Sequence, residues 1–215
     1  MATNVRTNAA QTGIPAPRTS STVPGTGTPT QREPSVPAFD TPRQRWTGYV
    51  AAIMRISLGW TFLWAFLDKT FALGHETGVN AKTGAVDYFG SAAWIHGGSP
   101  TSGFLGFATK GPLADFYQNL AGNAFIDWIF MLGLLGIGLA LILGVGMRIA
   151  TVSGVALLVM MWSAVLPPAN NLFMDDHLIY AATLVLLALI GAGRTWGLGA
   201  MWERIPFVQN HSYLK

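Results

Sequence analysis

Asp175, Asp176, His177 and Tyr180 set two carboxylates, an imidazole and a phenol within six positions of each other, between two long uncharged runs. Tyr180 is i+3 from His177 and i+4 from Asp176, so a helix would place it on the same face as either residue. An imidazole that titrates near neutral pH, beside a phenol and a carboxylate, can hydrogen-bond a quinone carbonyl and exchange protons with it. His177, Tyr180 and Asp176 are therefore the candidate catalytic residues, in a proton-relay role. The acids also suit a helix start, where a carboxylate accepts from free N–H groups and complements the dipole. Capping requires neither His177 nor Tyr180. No metal is expected here: one His with two consecutive Asp is a thin ligand set, and His75 and His96 are far away in the chain.

Arg55 is the second candidate. It lies about nine residues into an apolar run, roughly 13 Å from its start at 1.5 Å per residue. A charge at such depth is costly unless it is paired or functional. Its possible partners are a backbone carbonyl, Ser57, Ser153, Glu203 or an anionic ligand; otherwise it snorkels to the interface. Trp60, Trp64 and Trp162 also lie deep in apolar runs, where a flat ring packs or covers a ring-shaped ligand. Together with Arg55 they form the candidate cofactor-binding set, with quinone as the cofactor. Trp46, Trp128, Trp196 and Trp202 fall instead where aromatic belts meet the membrane surface.

These residues need a membrane bundle to position them. The 215-residue chain is 51% hydrophobic and only 11% charged, against roughly a quarter charged in soluble domains. Four apolar runs predict helices over about 46–67, 128–147, 149–168 and 177–193. The third is stopped by Pro167-Pro168, and Arg148 is expected in a very short turn between the second and third. The fold class is thus an all-α membrane protein, a four-transmembrane-helix bundle occupying 43–215. Residues 1–42, rich in Pro, Thr, Ala, Gly and Ser, lack any apolar run and are expected to form a disordered cytoplasmic tail.

Orientation follows from charge. With both termini inside, nine Lys and Arg are cytoplasmic and three (Lys69, Lys82, Lys110) are outside, leaving Arg55 in the first helix. That asymmetry favours a multi-pass protein with both termini cytoplasmic. The net charge of +3 comes from scattered Arg with no patch, so membrane lipid is the expected partner and nucleic acid is not. The absence of cysteine excludes thiolate chemistry and cysteine-ligated metals.

The 69–127 segment mixes Gly/Pro turns with Tyr88, Phe89, Trp94, Phe104, Phe107, Phe116 and Tyr117, and is expected to lie on the outer interface, cap the bundle and offer a lining for a lipid-accessible pocket. A short helix is expected over 113–120, after Pro112. Gly133, Gly136, Ala140 and Gly144 form a small-residue stripe that predicts close helix packing.

Several motifs occur in a fixed order. They are Arg55-x-x-Leu58-Gly59-x-x-Phe62-Leu63 with Asp68-Lys69, Gly103-Phe104-Leu105-Gly106-Phe107-Ala108, Asp127-Trp128, Gly144-x-Gly146-Met147-Arg148, and Asn170 through Tyr180. In this order, over about 46–200, the chain resembles the DoxX/DoxD family of bacterial and archaeal four-helix membrane proteins. The resemblance implies a prokaryotic cell-membrane protein, a membrane-embedded subunit of a quinone-linked oxidoreductase. That group includes the large subunit of thiosulfate:quinone oxidoreductase, which oxidises thiosulfate to tetrathionate alongside a separate small, DoxA-like subunit. Other members look like partners in oxidative-stress complexes, which makes a non-catalytic membrane anchor or assembly partner the alternative. The resemblance carries over no settled catalytic residues. On the expected outer surface, seven acids against three Lys set an unfavourable field for a thiosulfate dianion.

The topology is testable directly. A reporter that is active only in the cytoplasm, fused after Lys215, should give signal; signal from an export-dependent reporter alone would invert the charge assignment.

Overall fold

The computed structural model describes residues 41–80, 82–169 and 171–214. The tail expected over 1–42 lies outside them, except for Thr41 and Pro42, which belong to the first helix. Thr41 Oγ1 accepts from Gln44 N and Gln44 Oε1 accepts from Thr41 N, with Pro42 opening the first turn. This reciprocal cap starts α1 (Pro42–Phe71) four residues before the expected Trp46.

The expected second helix is displaced towards the N-terminus. Asn123 accepts from Phe125 N and Ile126 N, which starts α3 (Ala124–Leu143) ahead of Asp127. Gly144, at φ 72°, caps it after Leu143, four residues before the expected Met147. Arg148 is therefore not in the turn. Gly144–Gly146 make the turn, and Arg148 lies in the first turn of α4 (Met147–Ala164). That helix stops short of 168, because Pro167 restricts the preceding residue and offers no N–H. α5 (Asp176–Leu189) ends four residues before the expected 193, where Gly191 at φ 67° reverses the chain into a 3₁₀ turn over Ala192–Arg194.

The described residues contain helices and no strand, only one bridge between Val79 and Val86. α1, α3 and α4 are long and apolar enough to cross a membrane. α5 is apolar but has 14 residues, about 21 Å of helix against a hydrocarbon core of about 30 Å. Short helices α2 (Ala114–Gln118), α6 (Gly199–Trp202) and α7 (Pro206–Asn210) lie in the connecting and C-terminal segments.

Packing runs α1 on α3, α3 on α4 and α4 on α5. Phe62, Met131, Leu134, Leu141, Leu157 and Leu184 form the core between them. The close approach uses glycines other than the expected stripe. A Cβ at Gly138 would sit 2.8 Å from Leu63 N, and one at Gly59 would sit 2.9 Å from Leu141 Cβ. Gly133 and Gly136 meet open space, while Gly144 is a helix cap. Backbones that nearly touch maximise dispersion contact, the attraction available between helices where lipid removes any hydrophobic drive.

The segment between α1 and α3 is tied down by two buried acids. Asp68, 2% exposed, accepts from His75 N, Glu76 N and Thr77 N at 3.2, 3.2 and 2.9 Å. Asp127, 5% exposed, accepts from Ser99 Oγ (3.0 Å), Thr101 N (3.1 Å) and Thr101 Oγ1 (2.6 Å). Within the segment, a π-helical turn spans Phe104–Ala108, a 3₁₀ turn spans Gly111–Leu113, and α2 realises the expected short helix.

Gly138→Ala should destabilise the detergent-solubilised protein by about 1–3 kcal/mol, because the added methyl overpacks a backbone-to-backbone contact. Gly136→Ala, facing open space, should be neutral or stabilising by up to about 1 kcal/mol. Thermal unfolding followed by circular dichroism separates them; equal melting points would show that α1 and α3 do not approach here.

Candidate functional site

Asp175 is the N-cap of α5: its Oδ1 accepts from Leu178 N at 3.2 Å. Its Oδ2 lies 2.7 Å from His177 Nδ1, and Asp176 Oδ1 lies 3.5 Å from the same nitrogen. A carboxylate only accepts, so His177 Nδ1 carries the proton and Nε2 is left as the basic nitrogen of the neutral ring. His177 and Asp175 are largely covered, with side chains 18% and 12% exposed, whereas Asp176 is two-thirds exposed. The three residues can bring ligand atoms within 4.8 Å of one another. Tyr180 stands apart: it is on the exposed side of α5, and no hydrogen bond joins it to His177 or Asp176. The structure therefore unites the imidazole with the capping acid, which was read as structural, and leaves the phenol outside that network.

Arg55 is fully buried. Its Nη1 donates to the carbonyls of Leu141 and Ile142, and its Nη2 to those of Thr195 and Trp196, at 3.2 and 2.9 Å for the latter pair. Nε has no partner. Of the partners open in the sequence, the structure selects backbone carbonyls: the end of α3 and the 195–196 turn converge on one guanidinium. Glu203 pairs with Arg194 instead, at 2.8 Å. Glycines make room around the cation. A Cβ at Gly144 would lie 2.6 Å from Gly193 O and 2.8 Å from Arg55 Nη1.

The three candidate tryptophans are not gathered around one ligand. Trp60 and Trp64 adjoin each other on α1 with ring centres 5.9 Å apart; Trp60 is half exposed, and Trp64 also meets the His75 ring edge-on at 4.9 Å. Trp162 Nε1 donates to Phe173 O at 2.6 Å, clipping the 165–175 connection to α4.

A cavity of about 430 Å³ lies elsewhere, between α3 and α4 at the end that carries α2. None of the sequence candidates lines it. Its wall is almost wholly apolar, with Gly133, Ile129 and Ile137 from α3 and Ala156, Leu157 and Met160 from α4. Thr101 and Tyr117 add hydroxyl-bearing side chains from the connecting segment, and Ser153 adds one from α4. Tyr117 Oη lies 2.6 Å from Ser163 Oγ, and Lys110 N donates to Ala164 O at 2.8 Å; together they fasten the connecting segment over the end of α4. Small residues at 133 and 156 leave the space. Gly133 was the signal in the sequence: a gap among large side chains, read there as helix packing.

No family model, curated protein or solved structure matches this chain. The DoxX/DoxD resemblance rests on the sequence motifs quoted above.

Removing the guanidinium leaves four carbonyls without their shared donor. Arg55→Leu should cost about 3 kcal/mol or more, and Arg55→Lys, a single point charge in place of a planar fork, should recover only part of it. Unfolding in detergent measures both; a fully stable Arg55→Leu would show that the carbonyl cluster does not depend on the charge.

Proposed function

We propose that the chain is a membrane-embedded subunit of a quinone-linked oxidoreductase, crossing a prokaryotic cell membrane four times with both termini in the cytoplasm. The observation that carries this reading is the apolar cavity between α3 and α4. It lies between two helices that can span a bilayer, and its rim includes Ile129 and Met160, both half exposed towards the surroundings of the bundle. A site of about 430 Å³ falls within the range of about 300–1,000 Å³ of small-molecule sites. Its apolar wall suits a lipid-soluble ring on a hydrocarbon chain and repels a hydrated ion.

The short α5 completes the fourth crossing together with the 190–194 turn and a locally thinned bilayer. The 72–123 segment forms the outer cap, and its exposed Tyr88, Phe89, Phe107 and Phe116 sit at the headgroup level. In the reaction that the family resemblance suggests, two thiosulfate dianions each give up one electron and join through a new sulfur–sulfur bond as tetrathionate. The quinone takes those two electrons with two protons. His177 Nε2, at the same end of the bundle as the cavity, supplies proton exchange, with Asp176 and Tyr180 at the solvent side.

The anchor reading has one observation in its favour. The buried charges Arg55, Asp68 and Asp127 are all engaged in holding backbone segments, so the interior reserves none of them for a reactant.

Reconstituted protein with its small partner subunit, thiosulfate and decyl-benzoquinone should show quinone-dependent tetrathionate formation. His177→Ala should slow it by about 10²–10⁴, the usual worth of general acid–base help. Asp175→Asn keeps the helix cap and loses only the charge on His177, so its effect should be smaller. Full activity in His177→Ala would remove His177 from the mechanism, and no turnover with any donor would leave the anchor reading.

A further inference from the structure

The hydroxyls at the cavity wall have a direction. Ser163 Oγ lies 2.9 Å from Met160 O, and a carbonyl can only accept, so the Ser163 proton is committed there. Ser163 Oγ must then receive its second bond from Tyr117 Oη, 2.6 Å away. The Tyr117 proton is thereby used as well. The phenolic oxygen is left with acceptor capacity and, among the described residues, no donor. Tyr117 lines the cavity, while Ser163 stands behind it. The second hydroxyl at that end, on Thr101, donates to the buried Asp127. Ser153 lies ten positions further along α4, about 15 Å away, beside a ligand's chain and not its head.

We infer that this cavity selects ligands that donate an O–H group, and so holds the hydroquinone form of a chain-bearing ring more tightly than the quinone form. The bound hydroxyl extends a chain from ligand to Tyr117 to Ser163 in which each hydroxyl donates once, and the Met160 carbonyl accepts the last bond. A quinone carbonyl has no proton to offer Tyr117 and must break the Tyr117–Ser163 bond to obtain one. One neutral hydrogen bond corresponds to about a three- to tenfold preference. At tenfold, the bound couple is about 30 mV more oxidising than the free one, which favours electron flow from the donor into the quinone. The inference deepens the quinone-linked reading and rests on its premise that the occupant is a quinone from the bilayer.

The test is equilibrium binding of decyl-benzoquinone and its anaerobic hydroquinone to the full-length protein in lipid nanodiscs. Wild type should bind the hydroquinone about three- to tenfold tighter. Tyr117→Phe should bind both forms equally. Gly133→Leu, at a position where an added Cβ meets nothing within 4 Å, extends a side chain into the space and should abolish both. Ala156→Phe, from the opposite wall, is an independent block should Gly133→Leu fail to fold. Equal affinities in wild type overturn the inference, as does binding unchanged by both blocking variants. A co-purified phospholipid displaced by Gly133→Leu, with no discrimination between ring forms, also overturns it, because an acyl chain is then the occupant. Quinone turnover that survives Gly133→Leu unaltered would overturn this site while leaving the quinone-linked reading in place. Tight hydroquinone binding without turnover would do the reverse.

Discussion

One buried cation organises the end of the bundle where α3 turns into α4. A guanidinium in the middle of an apolar helix cannot remain unpaired in a lipid-like interior, and among the described residues no acid pairs with Arg55. The chain instead delivers carbonyls: Leu141 and Ile142 from the last turn of α3, where Leu141 O also accepts from the capping Gly144 N, and Thr195 and Trp196 from the return segment. One side chain thus joins two sets of backbone acceptors from distant parts of the chain. Glycines close the site: a Cβ at 144 would intrude on Gly193 O and on the Arg55 guanidinium, and one at 193 would intrude on Gly144 O. The αL cap at Gly144, the tight Gly144–Gly146 turn and the docking of 193–199 form a single arrangement centred on Arg55.

At the opposite end the polarity of the solution is reversed. Asp68 and Asp127 are buried anions, and the groups gathered around them are N–H and hydroxyl donors of the connecting segment. Each acid lies within a turn of a helix end, so the irregular 72–123 segment is anchored where α1 finishes and where α3 begins. That anchoring, with the Lys110–Ala164 and Tyr117–Ser163 bonds, holds the segment across α4 and gives the cavity its polar end. Charges that a surface census counts as an acidic field serve instead to hold backbone.

This division of labour shapes the functional reading. The ionised groups that the bundle buries are consumed in architecture. What remains for a ligand is an apolar space with a few hydroxyls, plus a largely covered histidine beside a helix cap. Such a site recognises shape, hydrocarbon and one or two hydrogen bonds. It suits a lipid-soluble carrier better than a dianion, whose chemistry would have to occur at the surface or on a partner subunit.

The presence and order of apolar helices long enough to cross a membrane were legible in the sequence, because uncharged runs of sufficient length have few other uses; three of the four expected spans reach that length, and the fourth run forms a helix of 14 residues. Helix ends were misplaced by four residues at 42, 143, 164 and 189. Capping by Thr41 and Asn123, and the left-handed turns at Gly144 and Gly191, act over single residues that a hydropathy run does not register. Arg55 was recognisable as exceptional, and backbone carbonyls stood among its possible partners. Only the tertiary structure could select them, since residues 141 and 196 are brought to it by the fold and not by spacing. The Asp175–His177 pair was visible as neighbours, but which carboxylate capped and which stood free depended on the turn entering α5. The connecting segment was legible as one that could line a lipid-accessible pocket, but the place of the cavity between α3 and α4 was not. A void is a property of how two helices and a crossing segment meet, and a glycine that leaves a gap reads in one dimension like a glycine that closes one.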